Sequence, residues 1–145
     1  MKKKKLLIIL LLILLAGVSI YAYMEYNRKV KSLVNTAPYF EIRDTLLIAE
    51  FISTEEQSNK KYSGKAILVT GNVTSLDTSS GQITVSLGGN GNPSSVKCRL
   101  DSTQPAIITG IGSVISLKGL FIGFNKDTLI GSDVLLNKCV VVHDK

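Results

Sequence analysis

Hydrophobic and polar residues alternate with a period of two along most of the chain from Lys65 onward. In the stretch "AILVTGNVT", Ile67, Val69 and Val73 share one face with Gly71, and the other face carries Thr70, Asn72 and Thr74. The same alternation recurs in "ITVSL", "SVKCRL", "SVISLKGLFIGF" and "DVLLNKCVVV". A period of two is typical of strands with one buried face, so we expect five strands in this part of the chain.

Turn-forming residues separate the five predicted strands. We expect a turn at 77–81 ("DTSSG"), a loose connection at 88–95 ("GGNGNPSS") and a turn or short helix at 101–112. Gly119 lies inside the fourth strand, where a glycine usually marks a bend or a close backbone approach.

The segment before the strands has a helical pattern. Apolar residues in 41–62 recur at helical spacing, as the pairs Leu47–Phe51 and Ile48–Ile52. Ser53 followed by Glu56 fits a capping box, which predicts that a second helix begins there. Residues 25–40 are predicted to form a further helix that ends near Pro38.

The N-terminal segment is apolar and flanked by lysines. Residues 6–24 contain no charged side chain, and as a helix they would span about 28 Å, which is one hydrocarbon core. A cleaved export signal is the alternative, but a cut after Ala22 would put Ile20 where a small residue is preferred. The tyrosines that suit an interfacial belt are Tyr21, Tyr23 and Tyr26. We therefore predict a retained transmembrane anchor.

Lysine placement predicts the orientation of this anchor and, with it, the domains. Lys2 to Lys5 precede the apolar run, which favours a cytoplasmic N-terminus and a barrel outside the cytoplasm. The predicted location is the inner membrane, with a single pass. The predicted domains are a basic cytoplasmic flank (1–5), the anchor (6–24), a juxtamembrane linker (25–43) and a β-domain with its leading helices (44–145).

The net charge of +6 belongs to the N-terminal segment alone. Residues 1–31 hold seven basic side chains and one acidic one, which leaves ten of each in residues 32–145. Nucleic-acid binding needs clustered lysine and arginine to neutralise phosphates. The balanced β-domain therefore does not favour a nucleic-acid partner.

The order of the predicted elements indicates the fold class. Three strands, a helical connection and two further strands are the order of the OB-fold, a five-stranded Greek-key barrel. We predict a mainly β protein: this barrel, preceded by short helices and one N-terminal transmembrane helix.

Several stretches also resemble one protein family. They are "TEEQSNKKYSGKAILVTGNV" (54–73), "ITVSLGG" (83–89), "VKCRL" (96–100), "ISLKG" (115–119) and "DVLLNKCVVV" (133–142). Over roughly residues 44–142 the chain resembles the tRNA-anticodon-binding-like OB-fold family. Its members are small bacterial proteins, often with an N-terminal membrane or lipoprotein segment. The resemblance implies the fold, and it supplies no catalytic or ligand-contacting residues.

The cysteines and the histidine are the first candidates for chemistry. Cys98 and Cys139 lie on strands that close against each other in an OB barrel, so they form either a disulfide or a pair of buried thiols. His143 follows Cys139 by four residues, but a metal site would lack a fourth ligand. We predict no metal.

Catalytic motifs are missing from the sequence. There is no GxSxG stretch, and "GGNGN" is not followed by GK[ST]. We expect no enzyme activity and no cofactor.

A weak basic stripe gives the candidate ligand rim, for which an ordinary solvated surface is the alternative. The rim consists of Lys97 and Arg99 on the third strand, Lys118 from the fourth strand, and Phe124. OB barrels usually bind ligands at their loops, here 77–82, 88–95 and 123–128. We expect a non-catalytic, membrane-anchored binding module of the cell envelope with a protein or glycan partner. The alternative is a nucleic-acid-binding OB domain on the cytoplasmic side.

Overall fold

The computed structural model describes residues 13–24, 33–79, 81–89, 91–102 and 110–142, which form parts of two compact units, Met1–Lys31 and Ser32–Lys145. In the first unit, helix α1 covers residues 13–24. None of the helices in the described ranges combines the length and the hydropathy that a membrane span needs. The predicted anchor begins at Leu6, so its first seven residues lie outside these ranges.

The described part of the second unit contains two short α-helices and six strands. A 3₁₀ turn at Leu33–Asn35 precedes strand β1 (Phe40–Arg43) and helices α2 (Asp44–Ser53) and α3 (Glu55–Tyr62). The remaining strands are β2 (Ala66–Asp77), β3 (Thr84–Leu87), β4 (Ser95–Leu100), β5 (Val114–Asn125) and β6 (Asp133–Val142). The helix or turn predicted at 101–112 falls largely on residues 103–109, outside the described ranges.

Strands β2 to β6 close into a barrel. Strand β2 pairs antiparallel with β3 and with β5, β3 pairs with β4, β4 runs parallel to β6, and β6 pairs with β5. This is the strand order of an OB-fold. The five predicted strands and the closed, mainly β barrel are confirmed.

Strand β1 was not predicted. It pairs in parallel with β2, from Phe40 opposite Ile67 to Arg43 opposite Thr70. The helix predicted over 25–40 is not found in its described part, which has only the 3₁₀ turn at Leu33–Asn35 and then the start of β1 at Phe40. Four residues are too few for a period of two to be recognised, and their pairing with β2 is a tertiary event.

Helix α2 packs its apolar face against the barrel. Leu47, Ile48 and Phe51 are buried, whereas Ile52 is 48% exposed. The helix predicted from the spacing of these residues is therefore confirmed, and its buried face ends before Ile52.

A second helix does begin near Ser53, as predicted, but the predicted capping box is wrong. The Ser53 hydroxyl donates back to the carbonyl of Ala49 (2.9 Å), inside α2. Helix α3 begins one residue after Thr54, which makes no side-chain cap. Serine hydroxyls near a helix end can bond the preceding turn as readily as the following one.

Candidate ligand-binding surface

Strand β4 separates the candidate site from the core. Val96, Cys98 and Leu100 are buried, and the alternating residues Lys97 and Arg99 are exposed. This is the alternation that a half-buried strand produces. The structure thus brings together two of the predicted rim residues on the outer face of the barrel.

Lys97 and Arg99 border a cleft of about 250 Å³ on this outer face. Arg99 lies opposite Thr84 of β3, which lies opposite Asp77 of β2, so these three residues form one row across the sheet. The cleft is lined by Asp77, Thr84, Lys97, Arg99, Ile122, Leu135 and Leu136. It combines polar groups on one side with aliphatic groups on the other.

Lys97 and Asp77 both bind other residues of the domain. The Lys97 Nζ lies 2.6 Å from Asp133 Oδ2, and Asp133 Oδ1 accepts a hydrogen bond from Ser95 Oγ at 2.7 Å. Asp77 Oδ1 accepts hydrogen bonds from the hydroxyl (2.6 Å) and the backbone N–H (2.8 Å) of Ser79. These bonds hold the pKa of Asp77 below its usual range. Asp133 therefore neutralises the charge of Lys97, whereas the Asp77 carboxylate keeps its negative charge because Ser79 is neutral.

Arg99 differs, because its guanidinium has no hydrogen bond or ion pair with any residue that the structure describes. It also borders a second cleft, of about 230 Å³. That cleft is lined by Gln82, Arg99, Leu100, Asp101, Ser102, Asn137 and Lys138. The positive charge of Arg99 thus lies between the first cleft, which is partly aliphatic, and the second, which is more polar.

Lys138 contributes to the polar cleft through an irregularity in β6. Its φ is 53°, in the left-handed region, and its backbone N–H bonds Asn137 Oδ1 at 2.9 Å. The pairing of β4 with β6 shifts between Cys98 and Leu100 at the same level. Sequence analysis missed Lys138, since only the bulge aligns it with Arg99, and a left-handed lysine has no sequence signature.

Lys118 does not belong to this surface, which corrects the predicted rim. It is 6% exposed, and its Nζ donates hydrogen bonds to the carbonyls of Val34 (3.0 Å) and Thr36 (2.8 Å). The segment around the 3₁₀ turn covers the middle of β5 and buries this lysine. The pattern within β5 contains no sign of that cover.

Phe124 is likewise not a rim residue. Its ring stacks on Phe51 of α2, with 5.0 Å between centroids, and Phe121 stacks on Phe51 at the same separation. A shift in the pairing of β5 with β6 between Phe121 and Gly123 accounts for this, because a regular strand would put residues three apart on opposite faces.

These rings belong to a larger aromatic cluster under the helices. Phe40 contacts Tyr62 edge-on at 5.0 Å, and Tyr62 lies 5.7 Å from Phe51. Five of the six aromatic residues in 33–142 are in this cluster, and the sixth, Tyr39, is 70% exposed. Single-strand binding by OB domains uses aromatic platforms, and here the aromatic rings pack the core instead.

The two cysteines meet inside the barrel, as their strands predicted. Both are free and buried, and Cys139 lies opposite Leu100 across the parallel pair β4–β6. Burial, followed by the hydrogen bond with Cys98, raises the pKa of Cys139 well above its usual value. Of the two alternatives left open by the sequence, the structure contains the buried thiols.

Gly119 is needed for this arrangement. A side chain on Gly119 would overlap the Cys139 sulfur, so the predicted close approach within β5 is confirmed.

Among the described residues there is no group of three His, Cys, Asp or Glu side chains placed to hold a metal ion. His143 lies outside the described ranges.

Comparison with known proteins identified one family. The profile of the family described as tRNA_anti-like matches residues 1–140, which is nearly the whole chain. A search of curated proteins found no match.

Proposed function

Because the chain belongs to the tRNA_anti-like family of OB-fold proteins, we propose that it is a non-catalytic binding module of the cell envelope. An N-terminal membrane anchor would hold the barrel outside the cytoplasm, at the inner membrane. The partner would bind on the outer face formed by β3, β4 and β6. The observation that carries this proposal is the uncommitted Arg99 between two clefts on that face.

The surface around Arg99 is prepared for binding. Its neighbours are held in place by Lys97–Asp133 and by the Asp77–Ser79 hydrogen bonds. Holding the contact groups rigid before binding lowers the entropy lost when a ligand binds. OB-folds commonly bind ligands on the face of the second and third barrel strands, which are β3 and β4 here, and on the adjacent loops.

The membrane anchor rests on sequence alone. Nineteen residues without charge follow four lysines, and the charge excess of the chain is confined to residues 1–31. A tether of this kind confines a barrel to the membrane surface, where a partner of modest affinity is bound at high effective concentration.

Two measurements on the full chain in its cells test the proposal. A topology reporter fused to the C-terminus should report an extracytoplasmic location. A photocrosslinking residue in place of Ile122 (54% exposed) should give a crosslinked adduct in intact cells, whereas the same residue in place of Ile52 (48% exposed) should not. A cytoplasmic reporter, or equal labelling from both positions, would contradict the proposal.

A nucleic-acid-binding OB domain on the cytoplasmic side is the second candidate. It is favoured by the cationic side chains of Arg99 and Lys138, which have no partner among the described residues. It is opposed by the packing of five aromatic rings in or against the core, three of them buried. Fluorescence anisotropy of a labelled single-stranded RNA with the full chain in detergent distinguishes the two. Tight, salt-dependent binding that is lost in Arg99→Gln would establish this candidate.

A further inference from the structure

Strand β1 has an open edge, and we propose that it pairs with the same edge of a second copy of this chain. Of the six strands described, β1 is the one that pairs on a single side, in parallel with β2. An unpaired strand edge presents backbone N–H and C=O groups that another strand can bind. Because β1 is not part of the face that carries Arg99, this inference does not depend on the proposed function.

The hydrogen bonds of β2 alternate between its two sides. Toward β5 they come from odd-numbered residues, since the carbonyl of Lys65, just before β2, accepts the N–H of Phe121 at 3.1 Å. On the other side, where β1 and β3 lie, they come from even-numbered residues, since the Asn72 carbonyl accepts the N–H of Gly88 at 3.0 Å. Successive residues of a strand direct their backbone groups to opposite sides, so Leu68 bonds β1.

The register determines which backbone groups of β1 remain open. Leu68 lies opposite Glu41, and in a parallel pair a residue bonds the two neighbours of the residue opposite it. Phe40 and Ile42 are thereby bonded to β2, and Glu41 and Arg43 face the open edge. The Arg43 carbonyl begins the hydrogen bonds of α2, because Arg43 is the N-cap. The open groups are therefore the N–H and C=O of Glu41 and the N–H of Arg43.

The two side chains on this edge carry opposite charges. Glu41 and Arg43 are exposed, and neither forms an ion pair with a described residue. In an antiparallel pair centred on Ile42, Glu41 lies opposite Arg43 of the second copy, and two-fold symmetry forms this contact twice. The same register lets each Arg43 N–H donate to the Glu41 carbonyl of the other copy. Opposite charges directly across two strands attract.

The charges also select this register and this partner. Pairing centred on Glu41 would put the two Glu41 side chains opposite each other, and pairing centred on Arg43 would do the same to the arginines. Like charges directly opposite are destabilising. Charged residues on a short edge strand normally prevent pairing, but here the sign alternates. The strand that complements it is β1 itself, running in the opposite direction.

Charge reversal tests the inference on the full chain in density-matched detergent. Sedimentation equilibrium should show a monomer–dimer equilibrium. Glu41→Arg and Arg43→Glu each put like charges opposite each other, so each should raise the dissociation constant by about tenfold or more. The double variant, Glu41→Arg with Arg43→Glu, restores opposite charges and should dimerise as the unsubstituted chain does.

A mixture of the two single variants distinguishes pairing between chains from an effect within one chain. One variant carries two positive side chains on the edge and the other carries two negative ones, so the equimolar mixture should form a dimer that neither variant forms alone. Glu56→Arg is the matched control, because it reverses an 84% exposed charge on α3 and should not change the dissociation constant. Circular dichroism of each variant establishes that it is folded.

The backbone contact can be tested apart from the charge. Arg43→Pro removes the N–H that donates to the second copy, and the φ of Arg43, −78°, suits proline. Arg43→Gln removes the same charge and keeps the N–H. We expect both variants to fold and Arg43→Pro to dimerise more weakly than Arg43→Gln.

The outcomes that overturn the inference are distinct. One is a chain that stays monomeric up to its solubility limit. A second is a dimer that both single reversals leave unchanged, which would assign the contact to another segment. A third is a double variant, or a mixture, that dimerises no better than the single variants.

Discussion

The carboxylate of Asp44 lies directly against the backbone of Gly71, in a position that only a glycine leaves open. Asp44 is 5% exposed, and its Oδ2 accepts the N–H of Asn72 at 3.3 Å, while Oδ1 accepts the N–H of Thr45 at 2.7 Å. The first residue of α2 is thereby attached to the middle of β2. This contact fixes the position of the helix over the barrel.

We expect Gly71→Ala to destabilise the folded chain by about 2–3 kcal/mol, because the new methyl group overlaps the Asp44 side chain and displaces its hydrogen bonds. Thermal unfolding followed by circular dichroism measures the loss. Gly123→Ala is the control, since that site has open space and the substitution should change stability by about 0.5 kcal/mol or less. If Gly71→Ala is as harmless as the control, the contact does not hold α2.

A second expectation concerns Glu50, which connects α2 to α3. Its Oε1 accepts a hydrogen bond from Lys61 Nζ and its Oε2 one from Tyr62 Oη, both at 2.7 Å. Burial alone would raise the pKa of Glu50, but these two hydrogen bonds lower it overall, below 4.5. A lowered pKa contributes stability that is present above pH 4.5 and is lost as pH falls through the lowered value.

Glu50→Gln should therefore reduce stability at pH 7, and the difference from the unsubstituted chain should shrink as the pH falls below 4.5 and through the lowered pKa of Glu50. Unfolding midpoints measured from pH 3 to pH 8 give this difference. Glu56→Gln is the matched control: its partner Lys60 lies 2.7 Å away, but both side chains are mostly exposed, so the change should stay below about 0.5 kcal/mol. A pH-independent loss in Glu50→Gln would contradict the assignment.

The cysteine pair should be unreactive while the chain is folded. The thiolate is the reactive form, and burial raises the pKa of Cys139, so at pH 8 little thiolate is present and the reagent has no access. We expect iodoacetamide to label neither Cys98 nor Cys139 of the reduced chain in native buffer and to label both in urea. Mass spectrometry counts the labels, and labelling of the folded chain would contradict the burial.

The same assay decides whether the pair is bonded in cells. Chain isolated under acid quench and unfolded without reductant should label at both positions if the thiols persist. If labelling in urea appears only after reduction, the pair is a disulfide in its compartment, as the proposed extracytoplasmic location would allow.

Lys118 should hold the segment before β1 against the barrel. Its Nζ binds two backbone carbonyls, at Val34 and Thr36, so Lys118→Met leaves both acceptors without this donor. We expect a loss of about 1–3 kcal/mol in unfolding free energy and faster amide hydrogen exchange at Thr36, whose N–H bonds the Leu33 carbonyl at 3.2 Å. Lys97→Met, on the exposed face, should leave that exchange rate unchanged.

The local pattern of the sequence determined most of the fold. The period of two, the turn residues and the strand order predicted the five-stranded barrel, and they placed Cys98 and Cys139 side by side and Lys97 and Arg99 on one outer face. The strands and their outer faces depend on residues that are neighbours in the chain, and the meeting of the two cysteines follows from the strand order of the OB-fold. Side-chain alternation along a strand is independent of what packs on it, which is why a single sequence was enough.

Only the tertiary structure decided which candidate residues remain available to a ligand. Lys118 is buried because a segment more than eighty residues earlier crosses it, Phe124 turns inward because of a bulge in β5, and Lys97 is neutralised by Asp133. Arg99 has no such partner among the described residues, and Lys138 joins it through an irregular φ. Contacts between distant segments cover or pair side chains without leaving a pattern in the segment that carries them.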